Sequence, residues 1–177
     1  MIDLKRILFA TDFSDNAIRA KLMAHEFCTA FGAEMHLLHV IHDLAVEVPE
    51  FGMGLSFPGY VENIGSHRKE LHDKAMHALE AEVGASWRAD HRILCAAQFG
   101  PPFVEIIRYA RDHDIDLIVV GSHGHTGLKH LLLGGVAEKV VRKAPCPVLT
   151  VRPPLQKPAA DEDSEGFRGR VHPLPVD

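Results

Sequence analysis

The chain has 177 residues, of which 46% are hydrophobic and 24% charged, and its formal net charge is −5. This composition excludes a chain that is disordered throughout and fits one globular domain with a single hydrophobic core. The negative charge and the lack of a basic run are the opposite of what nucleic-acid-binding proteins carry. We therefore expect no nucleic acid among its partners.

The cysteines and the N-terminal sequence indicate the cellular compartment in which the protein works. Cys28, Cys95 and Cys146 are odd in number, lie far apart and form no CxxC pair, which suits a reducing compartment better than a disulfide framework or a zinc finger. The chain enters a strand pattern at once, without the apolar region of a signal peptide, and no apolar run reaches the roughly 18 residues of a membrane span. These features predict a soluble, cytoplasmic protein that binds no membrane.

The first part of the chain alternates strand-like and helix-like segments. A short apolar run from Ile7 to Ala10 predicts a buried parallel strand, and Ser14 can cap the helix that follows and that stops at Gly32. A second strand is predicted over residues 34–41. The segment from Asp43 to Tyr60 is apolar but has neither period, so it is either a lid or dimer contact, or a loop packed on the domain's own edge.

The same alternation continues to the end of the fifth strand. The predicted elements are, in order, a helix from Val61 to Gly84, a strand from His91 to Gln98, a helix opened by Gly100-Pro101-Pro102, a strand from Asp116 to Val120, a helix from Val136 to Lys143 and a strand from Pro147 to Val151. Strands and helices in this sequence predict a single α/β domain over residues 1–152, with a doubly wound five-stranded parallel sheet and helices on both faces. Residues 153–177 are rich in proline and acidic residues and predict a flexible tail, with a partner-binding arm as the alternative.

A glycine-rich stretch follows the fourth strand. Gly121, Gly124 and Gly134 have the spacing Gly-x2-Gly-x9-Gly, and Gly134 and Gly135 directly precede a predicted helix. The N–H groups at a helix N-terminus favour phosphate, although the same glycines could simply mark turns. A strand order of 3-2-1-4-5 would place this stretch beside the end of the first strand, at the switch point where such sheets bind ligands.

Two common nucleotide motifs are missing. No GxxxxGK followed by Ser or Thr occurs, and the first strand ends in ATDFSDNA without Gly-x-Gly. A phosphate cradle in this chain is therefore of another kind.

Three segments resemble the universal stress protein family. They are ILFATDFSDNA, HLLHVI and DLIVVGSHGHTGLKHLLLGGVAEKVVRKAPCPVLTVR, and the resemblance covers about residues 3–152. It implies a nucleotide-binding α/β fold of strand order 3-2-1-4-5, a homodimer formed through the last strand, and ATP binding through Gly-x2-Gly-x9-Gly followed by Ser or Thr.

The resemblance also implies which residues contact ATP. Ala10, Thr11 and Asp12 would line the adenosine side, Val40 the adenine, Gly121, Ser122, His123 and Gly124 the ribose and phosphates, and Gly134, Gly135 and Val136 the remaining phosphate contacts. This chain has Gly135 where ATP-binding members have Ser or Thr. The change removes one hydroxyl donor but keeps the backbone N–H, so we expect weakened rather than abolished binding.

Metal, catalytic and redox chemistry are less well supported. Two groups of histidines suggest a metal site, namely His36, His39 and His42 in and just after the second strand, and His123, His125 and His130 in the glycine stretch. On a strand, positions 36 and 39 point to opposite faces, and no carboxylate or thiol completes a tetrahedral set, so ordinary core and surface histidines are favoured. Asp12 could help to hold Mg²⁺ on the phosphates, or could bind adenosine or cap the local turn. For Cys146, an inert buried thiol is favoured over a redox sensor.

No catalytic elbow or triad is recognisable, so we predict no enzyme, although slow ATP hydrolysis would be compatible with the site. The sequence therefore predicts an ATP-binding stress-response protein, a regulatory module that acts as a homodimer. The alternative is a family member that has lost ATP binding and acts through protein–protein interaction.

Overall fold

One parallel sheet organises the part of the chain that the structure describes, which in this computed structural model is residues 2–42, 60–122 and 133–152. Its strands are β1 (Arg6–Thr11), β2 (Glu34–Ile41), β3 (Ile93–Phe99), β4 (Leu117–Gly121) and β5 (Val148–Val151). The strand order is β3-β2-β1-β4-β5 and each neighbouring pair is parallel, which confirms the predicted fold class.

The helices cover both faces of this sheet. They are α1 (Asp15–Phe31), α2 (Tyr60–Glu82), α3 (Ala85–Asp90), α4 (Pro102–Asp112) and α5 (Gly135–Lys143). Small buried residues of α1, such as Ala20 and Ala24, pack with Leu79 of α2 against one face. Ile106 of α4 and Val140 of α5 pack against the other.

The central strand β1 shows why its sequence is a continuous apolar run. Leu8 and Phe9 are adjacent and both fully buried, but they belong to the cores on opposite faces of the sheet. Successive side chains of a strand point to opposite faces, so the middle of a strand covered by helices on both sides favours apolar residues at successive positions.

The boundaries agree with prediction to within a few residues, with one addition. Helix α3 was not predicted, because six residues are too few to show a helical period. Gly32 ends α1 as expected, with φ of +65° and its N–H bonded to the carbonyl of Cys28. Tyr60 begins α2, whereas the rest of the predicted loop from Asp43 and the predicted tail 153–177 lie outside the described residues. No helix in the described ranges is long and apolar enough to span a membrane.

Candidate functional site

A cavity of about 800 Å³ opens at the carboxyl ends of β1, β2 and β4, between those strand ends and the first turns of α4 and α5. It contains every predicted site residue whose position is described, namely Ala10, Thr11, Asp12, Val40, Gly121, Ser122, Gly134, Gly135 and Val136. The other two predicted residues, His123 and Gly124, lie outside the described part of the chain. The strand order brings the ends of β1 and β4 side by side, as expected at a switch point.

The end of β1 forms one wall and is held by its own hydrogen bonds. The Thr11 side-chain oxygen accepts the N–H of Phe13 at 3.0 Å, and Phe13 adopts a left-handed φ of +62°. Asp12 Oδ1 accepts both the N–H of Ser14 at 3.1 Å and its hydroxyl at 2.6 Å. These bonds orient the Asp12 carboxylate at the start of α1.

Ser14 therefore has a different role from the one predicted. It occupies the N-cap position of α1 with an extended backbone, but its side chain makes no capping hydrogen bond. Its hydroxyl instead donates a hydrogen bond to the Asp12 carboxylate, which lies within reach two residues earlier. Ser14 thus positions a cavity residue in addition to starting the helix.

His39 fixes the same strand end from β2. Its Nδ1 lies 2.9 Å from the carbonyl oxygen of Thr11, and since a carbonyl can only accept, Nδ1 carries the proton. The His39 ring also packs on the Phe13 ring with centroids 4.4 Å apart. His39 lines the cavity and was not among the predicted site residues.

The N-terminus of α5 forms the opposite wall. The Gly134 N–H donates to the Ser122 carbonyl at 2.7 Å, and the Ser122 N–H donates to the Val151 carbonyl at 2.8 Å. Ser122 is fully buried, so these two bonds tie the helix start to the ends of β4 and β5. The first N–H groups of α5 have no acceptor within the helix, and Gly135 and Val136, which carry two of them, line the cavity.

Steric crowding does not explain why position 135 is a glycine. A Cβ built on it would meet no atom of another described residue within 4 Å, and its φ is not in the left-handed region. The absence of the Ser or Thr expected from the family motif is therefore not a steric consequence of this backbone. A side chain could be placed there without displacing any described atom.

Sequence reasoning missed the residues that the α4 and α5 helices add. Pro102 and Ile106 line the cavity from the first turns of α4, and Lys139 lines it from the second turn of α5. The Lys139 Nζ lies 4.9 Å from the centroid of the Phe103 ring. Of these residues, only Lys139 could have been found from its spacing, since it stands four residues after Gly135 and so on the same face of the helix.

Of the other candidate groups, His36, His39 and Cys146 lie among packed residues, whereas His123, His125 and His130 lie outside the described part of the chain. His36 and His39 do point to opposite faces, His36 towards Tyr109 and His39 towards Phe13. Within the described residues, no group of three or more histidine, cysteine or acidic side chains could hold a metal. Burial raises the pKa of Cys146, and Asp116 adds to that shift, which favours the protonated thiol over a reactive thiolate.

Comparison with known proteins identifies the fold and family. The model of the universal stress protein family matches residues 3–152. Universal stress protein MJ0577 of Methanocaldococcus jannaschii is 33% identical over 153 residues, which cover 84% of this chain and 94% of that protein. Universal stress protein YxiE of Bacillus subtilis is 32% identical over 148 residues, covering 83% and 98%.

Solved structures agree with this result. The structure of MJ0577 has a TM-score of 0.69 at 30% identity and covers 86% of this chain and 98% of that one. A universal stress protein solved in complex with cAMP has a TM-score of 0.54 at 21% identity, over 85% of this chain and 98% of that one, and this similarity shows the shared fold alone. From the matched family model and from relatives of this identity and coverage, the chain belongs to the universal stress protein family.

Proposed function

We propose that the protein is an adenine-nucleotide-binding module of the stress response, which takes ATP in the cavity at the ends of β1 and β4. The observation that carries this proposal is the meeting of two features in one space of about 800 Å³. One is the oriented Asp12 carboxylate, and the other is the α5 N-terminus at Gly134 and Gly135. Cavities of this size are usual for ligands as large as a nucleotide.

The lining residues divide into an apolar part and a phosphate part. Val40, Pro102 and Ile106 are apolar and suit a purine ring. The N–H groups of Gly135 and Val136 suit phosphate oxygens, because the positive end of the α5 dipole lies there. From the family motif, His123 and Gly124 would complete the phosphate contacts. Asp12 would bind adenosine, or Mg²⁺ carried by the phosphates, since carboxylates and phosphate oxygens commonly share that ion.

Calorimetric titration with ATP, with and without Mg²⁺, tests the proposal directly. Two exposed valines on α5 give a matched pair of variants: Val136 lines the cavity, and Val141 does not. Val136→Trp should fill part of the cavity and abolish ATP binding, whereas Val141→Trp should leave it unchanged. No heat from the wild-type protein at millimolar ATP, or equal losses in both variants, would refute the proposal.

Gly135 favours a second candidate, a protein–protein interaction module that has lost ATP. The hydroxyl that the family motif provides is missing, and the backbone around Gly135 does not explain why. This candidate predicts that freshly purified protein releases no nucleotide on denaturation, as measured by mass spectrometry. Release of stoichiometric ATP, ADP or AMP would exclude it.

The homodimer is proposed through β5. Within the described residues β5 pairs only with β4, so one edge of that strand is open to a second copy. Sedimentation velocity should give a dimer at micromolar concentrations, and a monomer throughout that range would contradict the assignment. We further propose that the module binds nucleotide without turning it over, so no phosphate should be released from ATP over minutes.

A further inference from the structure

Lys139 is the charged residue of the cavity that the family motif does not assign. Of the described residues that line the cavity, Lys139 is the only lysine or arginine. Its side chain is exposed, and its Nζ lies over the Phe103 ring, 4.9 Å from the centroid. Its neighbour Glu138 is paired with Arg142 at 3.0 Å, on the same helix. A cation–π contact at an exposed site is weak, about 0.5–1 kcal/mol, so Lys139 can leave it for an anion.

The position of Lys139 relative to Gly135 directs it towards the start of the helix. The two residues are four apart in α5 and therefore lie on one face, one turn above the other. Side chains of a helix lean towards its N-terminus, so the Lys139 stem points over the turn that contains Gly135. Among the residues that the structure describes, that space is open, because none of them places an atom within 4 Å of a Cβ built on Gly135.

We propose that Lys139 is a specificity-determining residue, which extends across the space left by Gly135 and binds the phosphates of the nucleotide. This inference rests on the proposed function of the cavity and names what the site selects: a phosphorylated adenosine over adenosine itself. The ammonium group supplies a positive charge where a Ser or Thr would supply a neutral hydroxyl. A charged donor to a phosphate oxygen is the stronger of the two interactions.

Lys143 provides the matched control. It lies one turn further along α5, its Nζ is 5.5 Å from the same Phe103 ring, and it does not line the cavity. Lys139→Met and Lys143→Met remove the same charge, keep an unbranched stem and alter the same aromatic contact. The two variants therefore differ in whether the lysine that is replaced lines the cavity.

The test is calorimetric binding of ATP and adenosine to full-length wild type and both variants. Lys139→Met should weaken ATP binding about fivefold, the upper range for an exposed charge pair, and leave adenosine unchanged. Lys143→Met should change neither. Wild-type affinity for ATP in Lys139→Met, an equal loss in Lys143→Met, or an equal loss for adenosine would overturn the inference while leaving the proposed function standing. A wild-type protein that binds neither ligand refutes the proposed function itself, and this inference with it.

A double-mutant cycle tests whether Lys139 works through the space at Gly135. In a Gly135→Ser background, the Lys139→Met change should weaken ATP binding less than it does in the wild type, because the new hydroxyl occupies that space and supplies the missing donor. Additive effects of the two substitutions would show that Lys139 does not reach the ligand across Gly135 and would overturn its placement.

Discussion

Nδ1 of the buried His36 lies 2.9 Å from the hydroxyl of Tyr109, which joins β2 to α4 inside the core. The His113 ring stacks on the Tyr109 ring with centroids 3.8 Å apart. Oε1 of Glu34 lies 3.1 Å from Nε2 of His36, and Oε2 of the same carboxylate lies 3.4 Å from Nη1 of Arg92. This cluster of polar side chains lies near the amino-terminal end of β2. The cavity lies at the carboxyl ends of the strands, on the opposite side of the molecule.

Tyr109→Phe should destabilise the protein by about 1–3 kcal/mol, because it leaves the buried Nδ1 of His36 without its partner. Urea unfolding should show a lower midpoint with an unchanged slope. The control is the double variant with His36→Leu, in which both polar groups are removed. Its loss should be smaller than the sum of the two single losses, whereas an additive result would mean that the two groups do not act as a pair.

Stability should fall as pH falls through the range of His36. Burial lowers the pKa of His36 from its ordinary value of 6.5; the charges of His113 and Arg6 lower it too, and Glu34 opposes them. The folded protein therefore binds fewer protons at this site than the unfolded chain does. The free energy of unfolding should decline as the pH falls below about 6.5, and the decline should continue until the pH reaches the pKa of His36 in the folded protein.

The measurement is urea unfolding between pH 7.5 and 5.5, a range chosen from the ordinary histidine pKa to avoid most carboxylate titration. His36→Gln should show a shallower decline than the wild type, since the substituted residue does not titrate. Equal slopes in the two proteins would assign the decline to other histidines.

Much of the fold was predictable because the strands are short apolar runs in a strict alternation with amphipathic helices. Leu8 and Phe9 illustrate this, since burial on both faces leaves a one-dimensional pattern in the sequence. Helix α3 left no such pattern. Its Trp87 packs on the His25 ring, with the two ring centroids 3.8 Å apart. That contact joins residues far apart in sequence.

The candidate site was predictable to the extent that it consists of consecutive residues at strand ends. The resemblance supplied Thr11, Asp12 and the glycines as local motifs. His39 and Ile106 reach the cavity from other elements, so only the assembled sheet brings them there. The hydrogen bond between Ser14 and Asp12 escaped prediction for another reason: it is local, but a serine hydroxyl at this position can either accept a helix N–H or donate to a nearby carboxylate, and the residue type does not decide between them.

Gly100→Ala should destabilise the protein, and the backbone strain by itself should cost about 1–3 kcal/mol. Gly100 has φ of +139°, and an added Cβ would lie 2.9 Å from Glu105 Oε1, in a side chain that is buried and ion-paired with Arg108. Gly65→Ala is the control: Gly65 lies in α2, and a Cβ there meets no atom of the described part of the chain within 4 Å. That change should stabilise by about 0.5–1 kcal/mol. Thermal unfolding of both variants measures the contrast, and a loss of stability in each would count against the local explanation.

Gly135→Ser should tighten ATP binding about tenfold, if the regained hydroxyl contributes about 1.4 kcal/mol. No described residue crowds the Cβ position of Gly135, so the gain measures the hydroxyl, less any Lys139 contact that the hydroxyl replaces, and not a rearranged helix start. Gly135→Ala separates these causes, because it adds the Cβ without the donor and should leave the affinity within about twofold of the wild type. Calorimetry on the three proteins decides the matter. Equal tightening by Ala and Ser would assign the effect to a stiffer backbone at the start of α5, and unchanged affinity in Gly135→Ser would mean that the hydroxyl has no part in this site.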